Sequence, residues 1–195
     1  MDFPNEERQL WQKLNQFEFE NTVVAENLEP ESITELLDPE AFFLNRPELP
    51  RTTGDALIDT LRTAEAISYS HEQGWHIPAW SALMYARSLQ DFPELRECAP
   101  RVMHFKGTSR TEVEREWEFT EGYASSFTHI VTLFNNIRPG GEHIDSSGKR
   151  VVTPLLPTVA FREVLANALM HQDLDQRGRF LTVEIFSDRV EVTNP

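Results

Sequence analysis

The sequence has little cysteine, no long apolar run and a shortage of basic residues. Its 195 residues include one cysteine, Cys98, which excludes an intramolecular disulfide framework. No apolar run approaches the roughly 20 residues that a transmembrane helix needs, so we expect no membrane partner. The segment MDFPNEERQLW is acidic and lacks an apolar h-region, so we expect no signal peptide. Together these absences favour a cytoplasmic protein.

The shortage of basic residues gives a formal net charge of −14. Residues 1–50 hold 12 acidic and 3 basic side chains, so this quarter of the chain carries −9. Such a surface repels phosphate backbones, and we do not expect residues 1–50 to bind nucleic acid. The alternative interpretation is that the acidity only keeps the protein soluble.

Apolar residues, in contrast, are numerous enough to build a packed core. They make up 39% of the chain, with 13 Phe and 4 Trp, so the protein is globular rather than disordered. Helix patterns and strand patterns both occur along the sequence, and we predict an α+β fold. We predict a helical, winged-helix-like region over 1–95 and an α/β region over 96–195. The linker-like stretch 138–149 has three Gly, one Pro and two Ser.

Two helices are predicted in the first region. Ser32 and Glu35 form a capping box, and the apolar pattern after it continues through Phe43. Thr53 is the predicted N-cap of a second helix from about Gly54 to Ala66. A further helix is predicted over residues 4–17, ahead of these two.

A β-hairpin follows the second helix. Tyr69 and Trp75 belong to two short alternating runs that flank the turn signal Gln73-Gly74. A helix followed by such a hairpin is typical of a winged-helix unit, whose wing often touches DNA. This wing carries His71, Glu72 and His76 but no Arg or Lys, which favours a structural or interaction role. Direct DNA binding through residues 52–80 is a weaker alternative that the acidity opposes.

A helix with a polar stripe is predicted near the C-terminal end. It begins after Pro157, at about Thr158, and its apolar side should face a sheet. The stripe has i, i+4, i+8 spacing on the opposite side and consists of Glu163, Asn167 and His171. Two alternating strands, LTVEIF and VEVTN, come after it.

A Glu/Asn pair of this spacing can orient a water molecule and bind a metal ion. A carboxylate that faces a cleft can orient a water or accept its proton, and an Asn carbonyl can ligate Mg²⁺. Such residues would act on a nucleotide's phosphates through a bridging metal. The alternative is an ordinary amphipathic helix with solvent-facing polar residues, and spacing alone favours that alternative.

The sequence of this helix and of the two strands after it resembles that of a known family. The stretches REVLANALMHQD and VEIFSDRVEVTNP are similar to the C-terminal ATPase-like region of bacterial transcriptional regulators described as RecG-like or AlbA-type (Schlafen AlbA-like). That family has a helix written P-x-x-A-x-R-E-x-x-x-N-A-x-x-H-x-D, followed by a hairpin written D-R-x-E-x-x-N-P-G. A looser resemblance extends over most of residues 30–195.

The resemblance implies a partial GHKL-type (Bergerat) α/β sandwich that binds ATP and Mg²⁺. The polar helix would be the N-box of that fold. Glu163 would be the catalytic residue that activates water, and Asn167 would be the Mg²⁺ ligand. Asn167, His171 and Asn194 would together be the residues that bind the cofactor.

The chain departs from the GHKL pattern at its adenine-binding motif. ATPases of this type need a later Asp-x-Gly-x-Gly, and Asn194-Pro195 stands where that motif should begin. An Asn can accept a hydrogen bond from the adenine amine but lacks the charge of Asp. We therefore expect this sequence to be a portion of a longer protein and do not expect it to hydrolyse ATP alone. DNA binding is expected from an AlbA-like N-terminal module outside this chain.

Two hypotheses follow for the function. The first is a regulatory ATP-binding-like module, which the Glu163/Asn167/His171 stripe favours. The second is a non-catalytic scaffold in which a degenerate GHKL fold binds partners or forms a homodimer. The substitution at Asn194 favours the second hypothesis.

Overall fold

The chain combines helices and sheets in an α+β arrangement. The structure is a computed structural model, and it describes residues 19–144, 150–174 and 180–194. The described part contains six α-helices and nine strands, which form three sheets. No helix in these ranges is long and apolar enough to cross a bilayer. The helix predicted over residues 4–17 lies outside the described residues.

The described residues divide into two compact units. The first contains residues 19–98, 120–125 and 173–174, and the second contains residues 99–119, 126–144, 150–172 and 180–194. The chain therefore passes between the units several times, whereas the prediction over 1–95 and 96–195 has one crossing.

The first unit begins with a strand and two short helices. They are β1 (Val23–Leu28), α1 (Pro30–Leu36) and α2 (Pro39–Asn45). The prediction of one continuous helix capped at Ser32 is wrong, because the chain breaks at Asp38-Pro39. The residue before a proline disfavours helical backbone, and Asp38 is extended, with φ −96° and ψ 104°. Its side chain accepts a hydrogen bond from the Glu40 N–H at 3.0 Å, so Asp38 caps α2.

The next helix, α3 (Asp55–Thr63), lies where the sequence predicts one. Its buried side is formed by Leu57, Ile58 and Leu61. The predicted cap is wrong, since Gly54 occupies the N-cap position with φ 58° and no side chain caps the helix. A positive φ of this size favours glycine, so the N-cap residue is Gly54 and not the preceding Thr53.

The predicted hairpin is confirmed. It consists of β2 (Ser68–Ser70) and β3 (Gly74–Pro78), which pair antiparallel with Tyr69 opposite Trp75. The strand β1, which the sequence pattern did not indicate, pairs with the other edge of β3, so the sheet order is β1-β3-β2. Helix α4 (Ala79–Tyr85) follows β3 directly.

The second unit is built on a four-stranded sheet. Its strands are β4 (Arg101–Phe105), β5 (Val113–Glu118), β8 (Thr182–Ile185) and β9 (Val190–Thr193), in the order β5-β4-β8-β9. The central pair β4 and β8 is parallel, and the outer pairs are antiparallel.

Two helices supply the apolar layer against this sheet. They are α5 (Tyr123–Ile137) and α6 (Thr158–Met170). Phe134 and Phe161 stack with ring centroids 3.9 Å apart at the centre of this layer. The sheet contributes Val183 and Ile185, both 0% exposed, because they alternate along β8 onto the same face.

The stretch predicted as a linker contains a strand. Its residues Gly140–Ile144 form β6, which pairs antiparallel with β7 (Arg150–Pro154) in a separate two-stranded sheet. Residues 145–149 lie outside the described part of the chain. Glycine and proline in this stretch hid the strand, since both are depleted in strands.

Candidate functional site

Helix α6 places the predicted stripe on the exposed side of the second unit. Phe161, Leu165 and Ala168 are buried against the sheet, as the sequence pattern predicts. Glu163 and Asn167 are exposed. The helix thus offers two adjacent polar side chains to solvent while its other side is fixed in the core.

The N-terminal end of α6 is tied to the end of α5. The Thr158 hydroxyl donates a hydrogen bond to Asn135 Oδ1 at 2.5 Å and accepts one from Arg138 Nη1 at 2.9 Å. One turn later, the guanidinium of Arg162 lies 5.0 Å from the ring centroid of Phe127. These contacts fix the position and rotation of α6, so the direction of its exposed stripe is set by the fold.

Glu163 and Asn167 are close but weakly joined. Asn167 Nδ2 lies 3.5 Å from Glu163 Oε1, at the outer limit of hydrogen bonding. Since that contact uses the amide nitrogen, Asn167 Oδ1 remains available as a hard oxygen ligand. The pair is therefore compatible with a carboxylate and an amide oxygen that act on one ligand.

His171 stands just beyond the helix rather than inside it. It is the C-cap residue of α6, and its N–H donates to Asn167 O at 3.0 Å. Its side chain is exposed. The stripe thus reaches His171 one helical turn after Asn167, as the spacing predicts, but its last member has left helical backbone geometry.

Asn194 lies against the C-terminal end of α6. Its Nδ2 donates to His171 O at 2.8 Å, and this bond joins the residue after β9 to the residue after α6. Among the described residues, its buried Oδ1 has no hydrogen-bond partner. A buried acceptor without a donor costs roughly 1–3 kcal/mol, so this oxygen would gain from an incoming N–H group.

The residues fit Mg²⁺ only if most of its ligands come from elsewhere. The described part of the chain holds no group of three or more His, Cys, Asp or Glu that could bind a metal. Mg²⁺ commonly keeps several waters and takes one or two protein oxygens together with substrate phosphates. Asn167 Oδ1 fits that pattern, and Asn194 Oδ1 fits an acceptor for an amine.

Apolar side chains flank the polar stripe on the exposed side. Val159 is 79% exposed and precedes Glu163 by four residues, and Met170 is 69% exposed and follows Asn167 by three residues. On a helix these spacings bring all four residues to neighbouring positions. The exposed side of α6 therefore combines two polar groups with an apolar border at each end.

A charged network that the sequence pattern did not indicate lies on the other face of the sheet. Arg110, in the β4–β5 loop, donates to both carboxylate oxygens of Glu184 at 2.7 Å. The same guanidinium bonds to Glu191 Oε2 at 2.6 Å, and Arg189 Nε bonds to Glu191 Oε1 at 2.5 Å. Glu184 is nearly buried, with 8% of its side chain exposed.

The electrostatics of this network favour the charged forms. The hydrogen bond from Arg189, followed by the positive charges of Arg110 and Arg189, lowers the pKa of Glu191 below 4.5. The hydrogen bond and charge of Glu184 raise the pKa of Arg110. Strand alternation predicts an exposed Glu184, because its neighbours Val183 and Ile185 face the core, so its burial was not visible in the sequence. Its partner is 74 residues away, which no local pattern predicts.

Cys98 is a buried thiol in the first unit. Burial raises its pKa to about 11, and the neighbouring Glu97 adds to the shift. The hydroxyl of Tyr123 donates to the Cys98 carbonyl oxygen at 3.1 Å. The thiolate is the nucleophilic form of cysteine, so this side chain is unreactive at neutral pH.

The comparisons with known proteins show a shared fold. No family model matches the chain, and no curated protein matches it. The chain is similar to the crystal structure of the DIP2311 protein from Corynebacterium diphtheriae, with a TM-score of 0.60 and 17% sequence identity. The match covers 96% of this chain and 36% of that chain, so this chain spans about a third of the length of that structure.

Proposed function

We propose that the chain is a regulatory module that binds ATP with Mg²⁺, from a bacterial transcriptional regulator of the RecG-like, AlbA-type (Schlafen AlbA-like) family. The observation that carries the proposal is the buried Oδ1 of Asn194, which has no hydrogen-bond partner among the described residues and lies at the end of the helix that bears Glu163 and Asn167. An adenine amine would supply the hydrogen bond that this oxygen lacks.

Each residue of the site has a distinct role in this proposal. Asn167 would supply an amide oxygen to Mg²⁺, which neutralises phosphate charge when it is bound. Glu163, one turn earlier, would orient a water beside the phosphates. Asn194 would accept from the base, and its bond to His171 O would keep its amide group in one orientation.

The architecture supports a partial GHKL-type sandwich for the second unit. Two helices cover one face of a mixed four-stranded sheet, and the polar helix precedes an antiparallel strand pair, β8 and β9. A winged-helix interpretation of the first unit is supported by α3 and the hairpin β2–β3 that follows it. DNA recognition is assigned in this proposal to an AlbA-like module outside the chain.

Calorimetry with matched asparagine variants tests the proposal. The purified chain is titrated with ATP, with and without Mg²⁺. We expect Asn167→Ala to weaken only the Mg²⁺-dependent binding and Asn194→Ala to weaken binding in both conditions. The control is Asn136→Ala, which removes an exposed helical asparagine on α5 and should leave binding unchanged. If the wild type shows no Mg²⁺-dependent binding of ATP, the ATP-binding proposal is wrong.

The second candidate function is a non-catalytic scaffold that forms a homodimer or binds a partner. It is favoured by the exposed apolar side chains Val159 and Met170, which border the stripe. Exposed apolar side chains on one helix side are a feature of protein interaction surfaces. Sedimentation of the wild type and Met170→Ser distinguishes the two functions. A dimer that this substitution dissociates, in a chain that binds no ATP, supports the scaffold.

A further inference from the structure

An exposed aromatic group occupies the end of the hairpin in the first unit. Tyr69 on β2 lies opposite Trp75 on β3, with ring centroids 5.0 Å apart, and His71 lies 5.5 Å from Tyr69. Tyr69 is 50% exposed, although Ile77 on the same side of β3 is fully buried. The apolar side of this sheet therefore extends beyond the core into solvent. We call Tyr69, His71 and Trp75 the hairpin aromatic group.

The backbone under this group is held in place. The N–H of Asn27, in β1, donates to Gln73 O at 3.0 Å, and the N–H of Glu72 lies 3.3 Å from Ser70 Oγ. Gly74 has φ +67°, and a Cβ at this position would meet Leu28 O at 3.4 Å. The turn thus packs closely against β1, so a ligand of the aromatic group would not have to order the hairpin first.

The strand that carries Tyr69 has one open edge. Within residues 19–144, 150–174 and 180–194, β2 pairs with β3 alone. An open edge offers backbone N–H and C=O groups to an extended segment. The hairpin therefore combines a backbone docking edge with a half-exposed Tyr69 ring, an exposed His71 and a partly buried Trp75.

The charge around the group is uniformly negative. Residues 63–86 contain no Lys or Arg, and residues 19–98 contain 15 acidic and 5 basic side chains, which gives −10. Glu26 and Glu29 lie on either side of Leu28, the residue paired with Trp75, and Glu72 lies in the turn. These three carboxylates are exposed and form no ion pair with another described residue.

We propose that the hairpin aromatic group is a docking site for an extended, arginine-bearing peptide segment of a partner protein. A guanidinium stacks on the face of Tyr or Trp and is attracted by the ring, and the surrounding carboxylates add to that attraction. The segment pairs with the open edge of β2. A phosphate backbone is repelled by the same carboxylates, and a second copy of this acidic chain would bring negative charge against negative charge.

Fluorescence anisotropy with a labelled peptide tests this docking site. The probe is a short peptide of alternating glycine and arginine, titrated with the full chain at low and at high salt. We expect binding at low salt that Tyr69→Ala weakens about fivefold to tenfold, which corresponds to about 1.0–1.4 kcal/mol and agrees with the loss of a cation–π contact. Tyr69→Phe, which keeps the ring, should retain most of the affinity. Leu44→Ala removes another exposed apolar side chain of the same unit and should change nothing.

Three outcomes would overturn the proposal. The first is no binding of the arginine peptide at low salt. The second is equal binding by the wild type and Tyr69→Ala, which would reduce the interaction to net charge alone. The third is an alternative occupant of the hairpin, shown either by tighter binding of duplex DNA than of the peptide or by a self-association that Tyr69→Ala abolishes. Tyr69 is exposed, so its replacement should leave the circular dichroism spectrum and the unfolding midpoint unchanged.

Discussion

Glu184 and Asn194 differ in how completely their polar atoms are hydrogen-bonded. Glu184 is nearly buried and both of its oxygens accept from Arg110, so its charge is compensated. Asn194 uses only its amide nitrogen, and its buried oxygen has no partner among the described residues. The first residue therefore has both oxygens paired, whereas the second keeps one oxygen without a partner in the described part of the chain.

Glu191 makes the stability of the sheet depend on pH. Its folded-state pKa is lowered by the hydrogen bond from Arg189, so its stabilisation is complete above its unfolded pKa, near 4.5. That stabilisation is lost as the pH falls through the lowered pKa. We expect Glu191→Gln to reduce stability at neutral pH and to differ little from the wild type in acid. Urea unfolding of both proteins across this range measures the difference, and a constant gap would contradict the assignment.

At the scale of elements, strong periodicity made α6 and the β2–β3 hairpin predictable. Helix α6 alternates Phe161, Leu165 and Ala168 with polar residues at helical spacing, and the hairpin has a glycine turn between two alternating runs. Both patterns are local, so the sequence alone was sufficient to place these two elements.

Elements set by non-local contacts could not be predicted. Strand β1 has a mixed pattern of exposed and half-buried residues and is a strand because β3 offers it an edge. Asp38-Pro39 contained the signal for the break between α1 and α2, but the apolar spacing across it suggested continuity.

In the candidate site, the polar stripe on α6 was visible in the sequence. The bond from Asn194 to His171 was not, because it joins residues 23 apart through the packing of β9.

The attachment of α6 to the sheet can be tested at Phe161. This ring is fully buried and stacks on Phe134, so Phe161→Ala should lower the free energy of unfolding by about 3–5 kcal/mol. The control on the same helix is Val159→Ala, where the side chain is 79% exposed and the change should stay within about 0.5 kcal/mol. Urea denaturation measures both. Equal losses in the two variants would show that α6 is not held by its buried side.

At the scale of the whole molecule, the negative net charge opposes the binding of polyanions. With a net charge of −14 the chain repels polyanions, and its arginines at 51, 62 and 110 are already paired with carboxylates. We expect no binding of duplex DNA by the purified chain at moderate salt, as measured by a gel shift. A retarded, salt-sensitive band would contradict this prediction, because it would show that the net negative charge does not prevent binding of DNA.

The parallel pairing of β4 with β8 has a consequence for the order of folding. Residues 106–181 separate the two strands, and the chain must close this long loop before Val102 can meet Val183. Pairings of such large sequence separation slow the folding of a domain. During synthesis, β4 and β5 leave the ribosome first. Helices α5 and α6 then have to be made before β8 is available to pair with β4. Until then one edge of β4 has no strand beside it, and an unpaired edge is a site at which other strands can add.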